Sequence, residues 1–212
     1  MTATRTPSPT SRPRDGRSTR EAIIEAATRL MHVGGYQHTS LDDVLRESGV
    51  GKGNFYHYFR SKEDLGFAIL DQLVSSFVER MLEPCFADTE AERLGQVRCF
   101  LDRVVEAQRK SNCVGGCFMG NLASELSDVH EGFRERLASV FTAWRVRMTT
   151  ALAEAQDRGE VVASCRPATT AQFLVAGLEG GILLSKVSKD IGVLEQCVSE
   201  LKRYLTLYEV RS

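Results

Sequence analysis

No apolar run in this 212-residue chain approaches the roughly 20 residues that cross a bilayer, and no apolar segment of a signal peptide stands near its N-terminus. A cytoplasmic protein with no membrane partner is the expectation. A glycine-rich phosphate loop and a nucleophile motif are also missing, which argues against an enzyme and against a bound cofactor. No metal site is expected: Cys113 and Cys117 have no histidine clustered with them, and His130 is remote in sequence. The six cysteines therefore read as reduced thiols rather than as a disulfide framework. No period-two strand pattern of note occurs, so the class is all-α. Excess charge is scarce as well: the net charge of −1 does not look like that of a nucleic-acid binder.

The distribution of charge says more than its total. Residues 1–62 carry 10 Lys+Arg against 6 Asp+Glu, whereas the remaining 150 carry 17 against 22. Basic charge thus gathers at one end, where phosphate contacts would need it. Residues 1–16 form a disordered basic arm on composition, holding most of the five prolines and no aromatic residue. Arg12, Arg14 and Arg17 either enter a minor groove or belong to a solvated tail that only adds nonspecific affinity.

What is present begins with three helical patterns in quick succession. Ser18 or Thr19 can cap a helix to about Val33, with Ile23, Ile24, Ala27, Leu30 and Met31 on one face, ended by Gly34-Gly35. Ser40 caps a second helix, helped by Asp43, with Leu41, Val44 and Leu45 as its buried stripe and Gly49 as the turn. A third runs from about Lys52 to Tyr58. Phe55 and Phe59 point inward together, while Gly53 and His57 face away with Asn54 and Tyr56 beside them. Such a helix makes a poor core and a good surface for base edges and phosphates. A tyrosine on a short helix often serves packing instead, but here the two phenylalanines already fill the inward side. His57 is either a contact or a bystander. Ser61 caps the following helix, and Lys62 stands where free amides favour a phosphate.

The stretch from about Arg17 to Leu70 resembles the DNA-binding domain of the TetR/AcrR family of bacterial regulators. The resemblance is carried by Ile24, Ala27, Leu30, Gly35-Tyr36, Thr39-Ser40, Val44, Gly49-Val50, Gly53 and Phe55-Tyr56-His57-Tyr58-Phe59 followed by Ser61-Lys62-Glu63. It implies a three-helix head over residues 17–64, with its helix-turn-helix at about 40–59. A larger helical ligand-binding and dimerisation domain over 65–212 follows, about nine helices in all. It further implies a ligand-responsive repressor, not an enzyme, that binds double-stranded operator DNA as a homodimer and is released by a small-molecule effector. Lys52, Gly53, Asn54 and Tyr56 match positions that face base edges or the adjoining backbone. Tyr56, Tyr58, Lys62 and Thr39 match positions that hold phosphates, and Ser40 and His57 complete the expected DNA-binding set. Gly51 departs from the family's usual serine or threonine, and Leu45 from its usual alanine.

The rest reads as helices. Leu65 to about Leu82 continues the fourth and is ended by Pro84; Thr89 with Glu92 forms a capping-box pattern before Leu94. Further helices are expected from Cys117 to about Leu126, Phe133 to about Arg158, Ala168 to Val187, and Ile191 to about Tyr208. The last two carry Phe173, Gly177, Gly180, Gly181 and Leu184, and Leu194, Val198, Leu201 and Leu205. These stripes either close the monomer's own core or, as the resemblance implies, pair with a second copy in a four-helix bundle. Phe100, Phe118, Met119, Leu122, Trp144 and Phe173 line a pocket or are ordinary core. Asn121 and Glu125 orient a ligand or cap a neighbour. The run Gly116 to Leu122 is similar to a segment in a branch of the family where a cysteine responds to electrophiles. Cys117, at a helix start with Cys113 four residues earlier, is then a thiol sensor or a small buried hydrophobe. A helical adaptor without DNA binding is the remaining alternative.

Overall fold

Each of the first helices starts where a hydroxyl can take up a free backbone amide. In the computed structural model, which describes residues 18–87 and 92–210, Ser18 and Glu21 form a reciprocal capping box at the head of α1 (Thr19–Gly34). Ser40 and Asp43 repeat it for α2 (Leu41–Ser48), and Ser61 accepts from the Asp64 amide at the start of α4 (Lys62–Phe77). Between them, α3 spans Lys52–Tyr58. Gly49 closes α2 with φ of 65°, a left-handed turn that other residues adopt only under strain. Ile23, Ile24, Ala27, Met31, Val44, Val50, Phe55, Phe59 and Leu65 interlock as the core of this head. The expected basic arm with Arg12, Arg14 and Arg17, and the Thr89 cap, lie outside the described residues.

The body follows without a break. Pro84 does not end the fourth helix: a π-turn over Val78–Leu82 carries it into the short α5 (Glu83–Phe86). Proline there cannot donate to the Arg80 carbonyl one turn back. The Arg103 guanidinium donates to that carbonyl instead, at 3.2 Å from Nε. Next come α6 (Arg93–Lys110), α7 (Phe118–Leu126), α8 (Glu131–Asp157), α9 (Pro167–Ser188) and α10 (Ile191–Thr206). Counting α4 to α5 as one rod gives nine among the described residues. No side chain next to α6 in sequence caps it; the Glu160 carboxylate, 67 residues away, accepts from the Arg93 amide at 2.8 Å. Helix α8 packs against α6, α7 and α9, and α9 against α10.

One sequence expectation is corrected by this packing. Cys85 and Cys99 are joined as a disulfide, because the end of α5 lies on α6 with the two Cα atoms 5.7 Å apart. The other four cysteines are free. Among the described helices α9 is long and apolar enough to cross a membrane by length and composition. Its Leu174, Leu178 and Ile182 are instead buried inside the protein fold.

The α9–α10 pair also decides which stripe serves what. Leu194, Val198, Leu201 and Leu205, expected at a dimer face, are buried within the monomer. Gly177 and Gly181 let α10 approach: a Cβ at Gly177 would lie 2.8 Å from Leu201, and one at Gly181 2.9 Å from Leu194. These six residues close the chain's own core. Phe173, Leu183, Leu184 and Val187 remain exposed on α9, and Gly180 faces open space.

Head and body meet at Gly66 of α4. A methyl group there would lie 2.7 Å from the Phe133 ring and 2.8 Å from that of Tyr36, two rings that already pack edge to face at 5.2 Å. Gly66→Ala is therefore expected to cost about 1–3 kcal/mol of stability, read as a lowered urea midpoint with an unchanged slope.

Candidate functional site

Helix α3 stands on two anchors. The Phe55 and Phe59 rings are buried, with centroids 5.7 Å apart. Every other residue of the helix, Lys52, Gly53, Asn54, Tyr56, His57 and Tyr58, is exposed. Tyr56 keeps 50% of its surface and Tyr58 40%, which is unusual for large aromatic side chains on a well-anchored helix. His57 and Tyr58 stand edge to face, 4.9 Å apart. A Cβ added to Gly53 would meet nothing within 4 Å, so the backbone there is open to close approach. Amide, imidazole, ammonium and phenol groups thus share one protruding ridge of seven residues. Such a ridge can enter a major groove, donating to phosphates and reading base edges.

Three expected contacts are drawn away from that ridge. Thr39 is buried, and its hydroxyl donates to the Gly35 carbonyl at 2.8 Å, so it is a fastener of the α1–α2 turn rather than a phosphate ligand. Ser40 is exposed, but its hydroxyl is committed to the Asp43 cap. Lys62 lies over the Tyr36 ring at 4.5 Å and donates to the Gln37 carbonyl at 3.3 Å. Partial burial lowers its pKa, and the nearby Glu125 carboxylate opposes that shift. Tyr36, beneath it, is pushed up to about 12 by burial first and by Glu63 second.

The same turn is held from the body. The Glu125 carboxylate, near the end of α7, accepts from the amides of Tyr36 at 3.2 Å and Gln37 at 3.0 Å. The Gln37 side chain donates back to the Glu125 carbonyl at 2.9 Å. His130 and Glu63 approach within 3.4 Å nearby. Glu125 thus caps a neighbour, one of the two roles open to it from sequence. Glu125→Ala strips two amides of their acceptor. Hydrogen exchange at Tyr36 and Gln37 is expected to accelerate by about 5- to 150-fold, matching a loss of about 1–3 kcal/mol.

The other end of α7 borders a cavity of about 320 Å³ that opens to the surface. Phe100, Cys117, Phe118, Met119 and Trp144 gather there as expected, joined by Phe77, Gln108, Leu178, Glu179 and, from the head, His32. Phe77 and Trp144 stack at 4.2 Å. His32 Nε2 lies 3.0 Å from the Gly116 carbonyl. Leu122 is buried in the core outside this cavity, and Phe173 is on the surface against Tyr204; neither lines it. Asn121 borders a smaller hollow of about 270 Å³ that shares Cys117 and Glu179, and it accepts from Lys186 at 3.0 Å.

Cys117 caps α7, accepting from the Gly120 amide. The helix start does not make it a thiolate. Burial raises the thiol pKa far more than the amides lower it, and the adjacent Glu179 carboxyl raises it further. Burial likewise raises the Glu179 carboxyl. A reactive sensor thiol needs the opposite setting. Among the described residues no cluster of His, Cys, Asp and Glu could hold a metal ion.

Comparison with known proteins agrees with this geometry. Residues 23–69 match the bacterial regulatory proteins of the tetR family, and residues 94–201 match the tetracyclin repressor-like C-terminal domain. The chain is 32% identical over 189 residues to the transcriptional regulator AcuR of Cereibacter sphaeroides, covering 85% of this chain and 86% of that one. It is similar to a crystal structure of a regulatory protein TetR from Rhodobacter sphaeroides, with a TM-score of 0.80, 30% identity, and coverage of 88% and 98%. The reduced form of NemR from E. coli gives 0.78, 26%, and coverage of 87% and 95%.

Proposed function

Because this chain belongs to the tetR family of bacterial regulatory proteins, we propose that it is a cytoplasmic repressor that binds a palindromic operator as a homodimer and is released by a small molecule. The observation that carries this reading is the ridge of α3, whose polar and phenolic groups are exposed while Phe55 and Phe59 are buried beneath them. Lys52, Gly53, Asn54 and Tyr56 read base edges and adjoining backbone, Tyr58 holds a phosphate, and His57 lies beside them. Symmetry supplies the second ridge. The exposed residues Phe173, Leu183, Leu184 and Val187 with Gly180 give α9 an apolar strip suited to a second copy. Two heads about 34–36 Å apart then meet successive major grooves on one side of the duplex.

Release runs along α7. Its start, at Cys117, Phe118 and Met119, borders the cavity, and its end, at Glu125, holds the α1–α2 turn. A molecule that wedges the first turn of α7 moves the anchor of the head, and so changes the separation of the two ridges. Thiol sensing through Cys117 is not favoured, since desolvation first and the Glu179 carboxyl second push its thiol pKa up, although the side chain is only partly buried. A gel-shift titration with fragments upstream of the gene and its neighbours tests the reading. One fragment should be retarded, with affinity falling as salt rises from 50 to 200 mM, as contacts to phosphates require. A helical adaptor would retard no fragment at any salt concentration.

A further inference from the structure

The cavity beside α7 has a carboxyl group without a counter-ion in its wall. Glu179 is the one charged residue between Pro167 and Leu184 of the apolar helix α9. Its side-chain partner is the Cys117 thiol, and among the described residues no lysine, arginine or histidine pairs with it. Its Oε2 atom lies 2.7 Å from where a Cβ on Gly120 would stand, so the carboxyl sits between α9 and the first turn of α7. Both hollows at that turn, of about 320 and 270 Å³, have Glu179 and Cys117 in their walls. Glu179 also keeps part of its surface open to solvent, so an incoming molecule can reach it. Taking a carboxylate largely out of water without a partner is costly, and burial raises its pKa.

Aromatic faces complete the setting. Phe77, Phe100, Phe118 and Trp144 line the same cavity. Elsewhere the protein covers rings with its own cations: Arg20 over Phe59, Lys62 over Tyr36, Arg136 over Phe67 and Arg147 over Phe86. Among the described residues none covers a ring of the cavity. A cation is attracted both by a carboxylate and by open ring faces, and more strongly where water is thin. His32 is engaged with the Gly116 carbonyl, and Arg80 is exposed at the cavity edge, where solvent and salt screen its charge. An anion pushed among the rings would instead meet the Glu179 carboxyl.

We propose that the cavity takes a small aromatic cation, of the arylalkylammonium class, with its ring among Phe77, Phe100 and Trp144 and its ammonium group paired with the Glu179 carboxylate. That this molecule acts as an inducer rests on the repressor reading above; its binding does not.

Three probes of matched size separate the alternatives: 4-ethylbenzylammonium, 4-ethylbenzyl alcohol and 4-ethylbenzoate. Equilibrium dialysis measures their affinities. The chain has a single tryptophan, and it lines this cavity, so a change in Trp144 emission on binding reports the place. The ammonium should bind at least 10-fold more tightly than the alcohol, and the carboxylate more weakly than either. Glu179→Gln, which keeps the shape and removes the charge, should bring the ammonium down to the level of the alcohol or below it. Glu179→Asp, which keeps the charge, should retain the preference. Equal binding of ammonium and alcohol, strongest binding of the carboxylate, or an undiminished ammonium preference in Glu179→Gln would each overturn the assignment. So would binding of no probe, or unchanged Trp144 emission with the ammonium bound. Gel shifts on the same preparations keep the two readings apart. A parent protein that retards no DNA fails the repressor reading, whatever the dialysis shows. One that binds DNA but does not discriminate the probes fails only the ligand assignment.

Discussion

Tyr56→Ala is expected to weaken operator binding by about 30-fold or more while leaving the unfolding midpoint and the dimer unchanged. The affinity loss follows from position. Half of the Tyr56 surface is open on the ridge of α3, where a phenol can reach a base edge or a phosphate. One such contact contributes about 1–3 kcal/mol, and a two-fold complex loses two copies of it. Even the lower figure doubled is about 2 kcal/mol, close to 30-fold. The unchanged stability follows from the same exposure. Truncating a side chain that fills no core position shifts folding by about 0.5 kcal/mol or less. Gel shift and thermal denaturation on one preparation check both halves. A variant that binds DNA like the parent removes Tyr56 from the interface.

Phe55→Ala is expected to do the reverse, destroying the platform and not the contact. Phe55 is fully buried and lies against Phe59, with Tyr56 edge-on to it at 5.3 Å. Truncating such a phenylalanine leaves a cavity and costs about 3–5 kcal/mol. The head is small, and domains in general hold only about 5–15 kcal/mol in reserve. The variant should therefore show an early unfolding step confined to the head. Helical circular dichroism from α6 to α10 should persist above it, and DNA binding should be lost. A single cooperative transition at the parent's midpoint would show that α3 is not held by this ring.

The head was legible in the sequence because its signals are local. Hydroxyls at Ser18, Ser40 and Ser61 mark the helix starts, and the four-residue step from Phe55 to Phe59 fixes which side of α3 faces inward. The surroundings of Thr39 and Lys62 are not legible in the same way, because they are not local. Thr39 is covered by the turn it fastens, and Lys62 is drawn back by Tyr36 and Gln37, 25 or more residues earlier. The body shows the same limit. An apolar stripe such as Leu194, Val198, Leu201 and Leu205 records that a helix has a partner, not which helix that is; here it is α9 of the same chain. Phe173 and Leu122 fall outside the cavity for the same reason. Glu179 left a trace that could have been followed, as the one carboxylate between Phe173 and Val187 in an apolar helix. Gln108 and His32 left none, since only the crossing of α1, α6 and α9 brings them to one cavity.

The central claim is that the phenols of α3 face the duplex, and fluorine NMR tests it most directly. The chain has five tyrosines, which can be replaced uniformly by 3-fluorotyrosine and assigned by single Tyr→Phe changes. On addition of operator DNA, the Tyr56 and Tyr58 resonances should shift while those of Tyr204 and Tyr208, at the far end of the body, stay in place. Resonances of Tyr56 and Tyr58 that do not move in a sample whose DNA is fully bound would contradict the account.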